Sequence, residues 1–372
     1  MLNSFLLTLK QFIKKDTVLA IAAALALVSS FLVPPNPAYG EYVDWNTLAL
    51  LFSLMAVVKL LQNAHVFTYF AGILINKASD TRLILAILVF LPFAASMFIT
   101  NDVALITFVP FGLEVLKTCS QRRLIIPMAV LQTIAANLGS MATPMGNPQN
   151  LYIYEQSGES MGWITGIMAP YAGISFFMIA VIVLFTGGET VEVSRITARI
   201  GRKRDIAAGI AGFVLCIAAL FDVLPVIHLA AFIFLFMAVW DKKSLFQVDY
   251  SLLLTFIAFF IFIGNTGSLS VVRDFMSEMV EGHTEMTAIL ASQIVSNVPA
   301  ALLLSGFTDN WEQLVIGCNL GGLGTLIASM ASLISYKFIA GDYPELKTKY
   351  IITFTVLNVV FLAVLLIAGI FL

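Results

Sequence analysis

The chain has 372 residues; 60% are hydrophobic, 11% are charged, and the formal net charge is −2. Soluble domains carry roughly 25% charged residues, so this composition excludes a soluble fold and makes lipid the solvent. It leaves no basic face for nucleic acid, and Cys119, Cys216, Cys318, His65, His228 and His283 stand at no metal-ligand or nucleophile spacing. The cysteines read as small packed hydrophobes, and neither enzyme chemistry nor a resident cofactor is expected.

In chain order, the apolar stretch 17–34 follows Lys10, Lys14 and Lys15 and precedes Pro-Ala-Tyr-Gly at 37–40. That pattern also suits a secretory signal peptide; a retained first helix is preferred because the topology needs it. Further spans of membrane-crossing length are predicted at 46–62, 163–186, 206–221, 224–240, 251–265 and 351–371. Several are short, so tilted, bundled helices are expected. Stretches 124–158 and 312–337 are apolar but interrupted by glycine-rich polar sequence. Stretches 82–117 and 285–307 are apolar with a polar break in the middle, as in re-entrant hairpins. An amphipathic segment precedes each hairpin, at 64–77 and 268–282, and is either an interfacial helix or an extension of its neighbour.

With both hairpins re-entrant, nine helices cross the bilayer. A cytoplasmic N-terminus then puts 18 of the 20 Lys and Arg residues on the cytoplasmic side, the usual positive-inside bias. Arg273 is left outside, and Lys59 near the inner end of its helix can snorkel. Acidic residues such as Glu41, Asp44, Glu155 and Glu281 fall outside. The predicted fold class is therefore an all-α polytopic membrane protein of about nine transmembrane helices plus two hairpins. It is expected in the plasma or inner membrane, with its C-terminus outside.

Three stretches recur in order. Leu61-Gln62-Asn63-Ala64 matches Ile263-Gly264-Asn265-Thr266 weakly. Ile99-Thr100-Asn101-Asp102-Val103 matches Val295-Ser296-Asn297-Val298-Pro299, and Asn137-Leu138-Gly139 through Thr143 matches Asn319-Leu320-Gly321 through Thr325 most closely. Each repeat reads helix, interfacial helix, hairpin, broken helix, helix. The first begins outside near Trp45 and the second inside near Tyr250, so the two are inverted, as in many secondary transporters. One transporter domain is expected over 1–372, with repeat one at about 17–186, a linker at 187–223 and repeat two at 224–372.

The chemistry gathers at the breaks. The hairpin tips are Thr100-Asn101-Asp102, with Pro92 and Pro110 in the arms, and Ser296-Asn297 followed by Val298-Pro299. Hydroxyl and carboxamide oxygens can ligate an ion without a full charge; the plain alternative is that they cap the turns. Polar groups are costly at membrane depth, and their presence at both tips favours function. The run from Asn137 to Asn150 holds Gly139, Thr143, Asn147 and two prolines, Pro144 and Pro148, and cannot stay a regular helix. In the second repeat Gly321, Gly322, Gly324 and Thr325 do the same without proline, and close helix packing is an equal reading there. Unwound carbonyls can hold Na⁺, and half-helix N-termini can hold an anion.

Asp102 is the one carboxylate that this topology buries deeply, with no Lys or Arg expected at its depth. A proton or a cation then neutralises it, which makes it the candidate coupling-ion site. Na⁺ would lie at Asn101, Asp102 and Asn297. Capping the helix that starts at Val103 is the alternative.

Through FITNDVALITFVPF (98–111), NLGSMATPMGNPQN (137–150), SNVPAALLL (296–304) and NLGGLGT (319–325), the chain resembles the ion transporter superfamily over roughly 17–370. That group holds divalent-anion:sodium symporters, citrate transporters, arsenite efflux pumps and sodium/proton antiporters. The resemblance implies sodium and carboxylate sites built from Thr100, Asn101, Ser296 and Asn297 with Gly139, Thr143, Asn147, Gly321 and Thr325. Asn137 and Asn319 head the two matching break motifs and join the candidate set. A symporter of this kind would end each tip in Thr, whereas this chain has Asp102 and Val298; the Asn-Asp tip is similar to the arsenite pumps. The expected function is secondary transport of a small inorganic or organic anion, carboxylate-like, driven by Na⁺ or H⁺. An arsenite or antimonite exporter and a sodium/proton antiporter are the alternatives, and a homodimer is left open.

Overall fold

The computed structural model describes residues 16–191 and 199–372; Lys10, Lys14, Lys15 and Arg195 of the basic count lie outside them. The described residues form an all-helical protein with a single isolated bridge, between Asp80 and Thr190. Five helices are long and apolar enough to cross a membrane: Trp45–Asn63, Thr81–Ile99, Met161–Thr186, Tyr250–Gly267 and Pro344–Gly369. The third of these carries bare Phe177 and Phe185, exposed by 70% and 87%, and the shorter apolar helix Val226–Trp240 carries Val239, exposed by 87%. Water would penalise such a belt, and lipid does not. This is an integral membrane protein.

The helices in order are α1 (Thr17–Leu32), α2 (Trp45–Asn63), α3 (Val66–Ile75), α4 (Thr81–Ile99), α5 (Asn101–Thr118), α6 (Ile125–Ser140), α7 (Pro148–Ser157) and α8 (Met161–Thr186). There follow α9 (Lys203–Leu220), α10 (Val226–Trp240), α11 (Tyr250–Gly267), α12 (Ser270–Val280), α13 (Thr284–Val295), α14 (Asn297–Ser305), α15 (Trp311–Leu320), α16 (Met330–Asp342) and α17 (Lys347–Gly369). Every stretch read as an uninterrupted span is helical over most of its length, including the first. That helix is tied into the bundle: Asn265 on α11 donates to Ser29 Oγ at 3.1 Å, and Ser251 donates to the Asp16 carboxylate.

The two amphipathic segments form discrete helices. His65 turns the chain through a left-handed conformation (φ 55°) between α2 and α3, a backbone state that stops a helix. On α12, Val271, Phe275 and Met279 are exposed beside exposed Arg273, Asp274 and Glu278, the mixed surface of a helix at a water–lipid boundary.

Loop contacts sort the helix ends into two groups. At one end Arg122 pairs with Glu345, Arg123 with Glu189 at 2.7 Å, and Asn63 donates to Ser244 and Gln247 at 2.8 and 2.9 Å. At the other, Gln156 donates to Asp44 at 2.7 Å and the Tyr154 hydroxyl to the Leu220 carbonyl at 2.8 Å. Each of these contacts joins loops that the charge distribution had assigned to the same side.

Both broken helices are broken as read. After α6 the chain passes through a single 3₁₀ turn, Pro144–Gly146, and restarts at Pro148. Both prolines therefore sit at first positions, where their missing N–H costs nothing. Between α15 and α16, residues 321–329 are non-helical.

Candidate transport site

The hairpins turn at Thr100, between α4 and α5, and at Ser296, between α13 and α14. Thr100 has φ 64° and ψ 149°; Ser296 has φ 78° and ψ 156°. This region is all but reserved for glycine, and a non-glycine residue held there costs about 1–3 kcal/mol. The strain recurs at the two positions that the repeat alignment pairs. The next residue repeats too: Asn101 Oδ1 accepts the Asp102 N–H at 2.9 Å, and Asn297 Oδ1 accepts the Val298 N–H at 3.0 Å. Each asparagine thus caps its own helix.

Capping does not exhaust them. Asn101 Nδ2 also donates to Asn137 Oδ1 at 2.9 Å, and Thr143 donates to the Met97 carbonyl just before the tip. In the second repeat the Asn297 N–H donates to the Ala328 carbonyl at 2.9 Å, and Ser296 Oγ to the same oxygen at 3.4 Å. Each tip rests on the unwound part of its own repeat. Asn137 lies twelve residues beyond the start of α6, about 18 Å along it at 1.5 Å per residue. A tip seated there ends well inside the protein, although by length α4 alone could cross a membrane.

The two breaks are joined to each other. Ser329 donates to Asn137 Oδ1 at 3.1 Å and Asn137 Nδ2 to Ser332 Oγ at 3.4 Å. Asn147 Nδ2 donates to Asn319 Oδ1 at 3.4 Å, and Asn319 Nδ2 to Asn150 Oδ1 at 2.7 Å. All of these asparagines are buried. Gly139 and Gly321 serve as contact points, where an added Cβ would stand 2.1 Å from the Phe93 carbonyl oxygen and 2.6 Å from Ser292 Oγ. Thr325 is exposed; its N–H bonds Gln293 Oε1 at 2.9 Å, and the same glutamine side chain donates through Nε2 to the Gly321 carbonyl at 2.9 Å.

A cavity of about 370 Å³ opens beside the first tip. Thr100, Asp102 and Asn147 line it, as do three residues outside the candidate set: Lys59 and Gln62 from α2, and Asp249, which caps α11. A smaller space, lined by Asp16, Asp102, Asp249 and Pro299, continues towards the second tip. The expectation that no cation shares the depth of Asp102 is corrected here. Lys59 lines the same cavity as Asp102, and its Nζ donates to Gln62 Oε1 at 3.0 Å. The lone lysine in an apolar span was the available signal, and the short distance to the helix end disguised it. Asp249 accepts the Leu252 N–H at 3.1 Å, and burial still raises its carboxyl above the ordinary value. Two acceptors point nowhere: the Asp102 carboxylate receives no hydrogen bond among the described residues, and Asn147 Oδ1 is buried without a partner. The Gln149 amide, 1% exposed in the first turn of α7, has no partner at either atom among the described residues.

Comparison with known proteins places this architecture. The family model described as "Citrate transporter" matches residues 5–310. The chain belongs to the citrate transporter family. Within the breadth of that family, it is 30% identical over 325 residues to an uncharacterized transporter of Methanocaldococcus jannaschii, covering 87% of this chain and 88% of that one. It is 30% identical over 321 residues to the inner membrane protein YbiR of Escherichia coli, covering 83% and 84%. An uncharacterized transporter of Mycobacterium tuberculosis is 24% identical over 363 residues, covering 86% and 84%. The protein is thus a membrane transporter of the citrate transporter family.

Proposed function

We propose that this protein is a secondary carrier for a small anion, coupled to H⁺ or Na⁺ at the first hairpin tip. The observation that carries this reading is the cavity lined both by Asp102, whose carboxylate receives no hydrogen bond among the described residues, and by Lys59, the one ammonium among them in that lining. Such a pair of opposite charges offers separate places for a coupling cation and an anionic solute. The tip oxygens of Thr100, Asn101, Ser296 and Asn297 complete the cation sites in this reading. The two repeats run antiparallel, and rocking of one against the other exposes the cavity alternately. Nine helices cross, with the Arg122, Lys242 and Lys347 end in the cytoplasm, and the unit is a transporter and not an enzyme.

The carrier reading is tested by loading proteoliposomes of the pure protein under imposed pH or Na⁺ gradients. Concentrative uptake of an organic anion under one gradient is expected; uptake that only equilibrates would make the protein a channel. A metalloid exporter is the second reading, favoured by the Asn101-Asp102 tip, and predicts gradient-driven antimonite movement in the same vesicles.

Two smaller results are expected. Single cysteines at Arg202 and Glu159, both exposed, should react with an impermeant maleimide from opposite faces; the native cysteines are buried and leave a low background. Labelling from one face would end the inverted topology. Asn101→Ala and Asn297→Ala should each cut gradient-driven uptake severalfold while the protein stays extractable, since a lost cap costs only about 1 kcal/mol. Wild-type uptake by both would reduce the tips to caps.

A further inference from the structure

Lys59 is the only basic side chain, among the described residues, that lines the cavity beside the first tip. It is anchored from behind: Gln62 Oε1 accepts from its Nζ at 3.0 Å, and Gln62 Nε2 in turn donates to Thr107 Oγ1 on α5 at 2.9 Å. An ammonium carries three donors, and the described residues use one. No carboxylate lies within 4.0 Å of it among the described residues. A half-buried lysine that is held in place, unpaired and facing a cavity has the chemistry of an anion receptor.

The rest of the lining limits what that anion can be. Asp102 and Asp249 face the same space; with Asp102 taken up by the coupling cation, Lys59 and Asp249 are the charged side chains left to meet a solute. Gln62, Gln247 and Asn147 add neutral amides, and Leu54 and Leu252 give part of an apolar wall. A second or third carboxylate on the ligand would find no further basic side chain in this lining to receive it, with Asp249 close by, and like charges at close range are costly.

We propose that Lys59 binds the transported solute and that this solute is a small acid with a single anionic group, its remainder neutral or cationic. Di- and tricarboxylates are disfavoured. The proposal rests on the reading of the protein as an anion carrier and names its substrate class and specificity-determining residue.

Thermal unfolding of the detergent-solubilised full chain tests it at fixed pH with formate, acetate, lactate, glycine and citrate as probes. At least one single-anion probe should raise the unfolding temperature of wild type and Lys59→Arg. Its half-saturating concentration should be at least roughly tenfold below that of citrate, the ~1.4 kcal/mol step of one decade. Lys59→Gln, which keeps an amide donor and leaves Gln62 bonded to Thr107, should unfold as wild type does without ligand and lose the response. An equal response in Lys59→Gln, tighter binding of citrate, or no response to any single-anion probe would each overturn the proposal. Uptake in vesicles separates it from the reading beneath it: Lys59-dependent binding with uptake that ignores both gradients would remove the coupled carrier and leave the lysine's assignment standing.

Discussion

Asp102→Asn is expected to lower gradient-driven uptake at least roughly tenfold, within the 1–3 kcal/mol range usual for coupling between two sites. The substitution keeps shape and removes charge. It also spares the local structure, because the Asp102 N–H that bonds Asn101 Oδ1 is backbone and the carboxylate receives no hydrogen bond among the described residues. The loss should therefore appear in coupling and not in yield. If the driving ion is H⁺, the pH dependence of uptake flattens in the mutant, and solute exchange without net accumulation persists. If it is Na⁺, the half-saturating Na⁺ concentration rises, since a formal charge beside the ion has gone. Uptake measured across pH and Na⁺ titrations distinguishes the two. Curves that match wild type in both titrations would reduce Asp102 to a helix-end residue and shift coupling to the neutral oxygens of Thr100, Asn101, Ser296 and Asn297.

The spans were legible because lipid forces every backbone amide into a helix, so apolar runs and helices coincide. The first break was equally plain, since Pro144 and Pro148 forbid a continuous helix. At the second break, glycines permit unwinding without requiring it; the structure shows both unwinding at 321–329 and the close contact of Gly321 with Ser292. Tip positions could be read from the repeat, but the strained φ of Thr100 and Ser296 could not, because neither residue type announces that state. What escaped altogether was the cavity. Lys59, Asp102 and Asp249 are 43 and 147 residues apart in sequence, and only packing of α2, α5 and the start of α11 makes them neighbours. Taken alone, a lysine near a helix end reads as snorkelling and an aspartate before a helix reads as a cap. Asp249 is indeed a cap, and it also faces the cavity.

Gly139→Ala is expected to produce a large structural loss. Its added Cβ would stand 2.1 Å from the carbonyl oxygen and 2.8 Å from the carbonyl carbon of Phe93, which are backbone atoms of the first hairpin arm. Overpacking costs roughly 1–3 kcal/mol where side chains can yield, and here α4 itself has to move. Displacing that arm carries the tip with it, which separates Asn101 from Asn137 and Thr143 from the Met97 carbonyl. The variant should therefore extract poorly or unfold at a clearly lower temperature, and whatever folds should not transport. Gly166→Ala is the matched control, because its Cβ meets nothing within 4 Å and alanine gains up to about 1 kcal/mol over glycine inside a helix. Size-exclusion profiles and thermal unfolding of the two variants in one detergent give the comparison. A Gly139→Ala protein that elutes, melts and transports like wild type would mean that α4 does not rest on α6 at this point, and the seating of the first tip against Asn137 would fall with it.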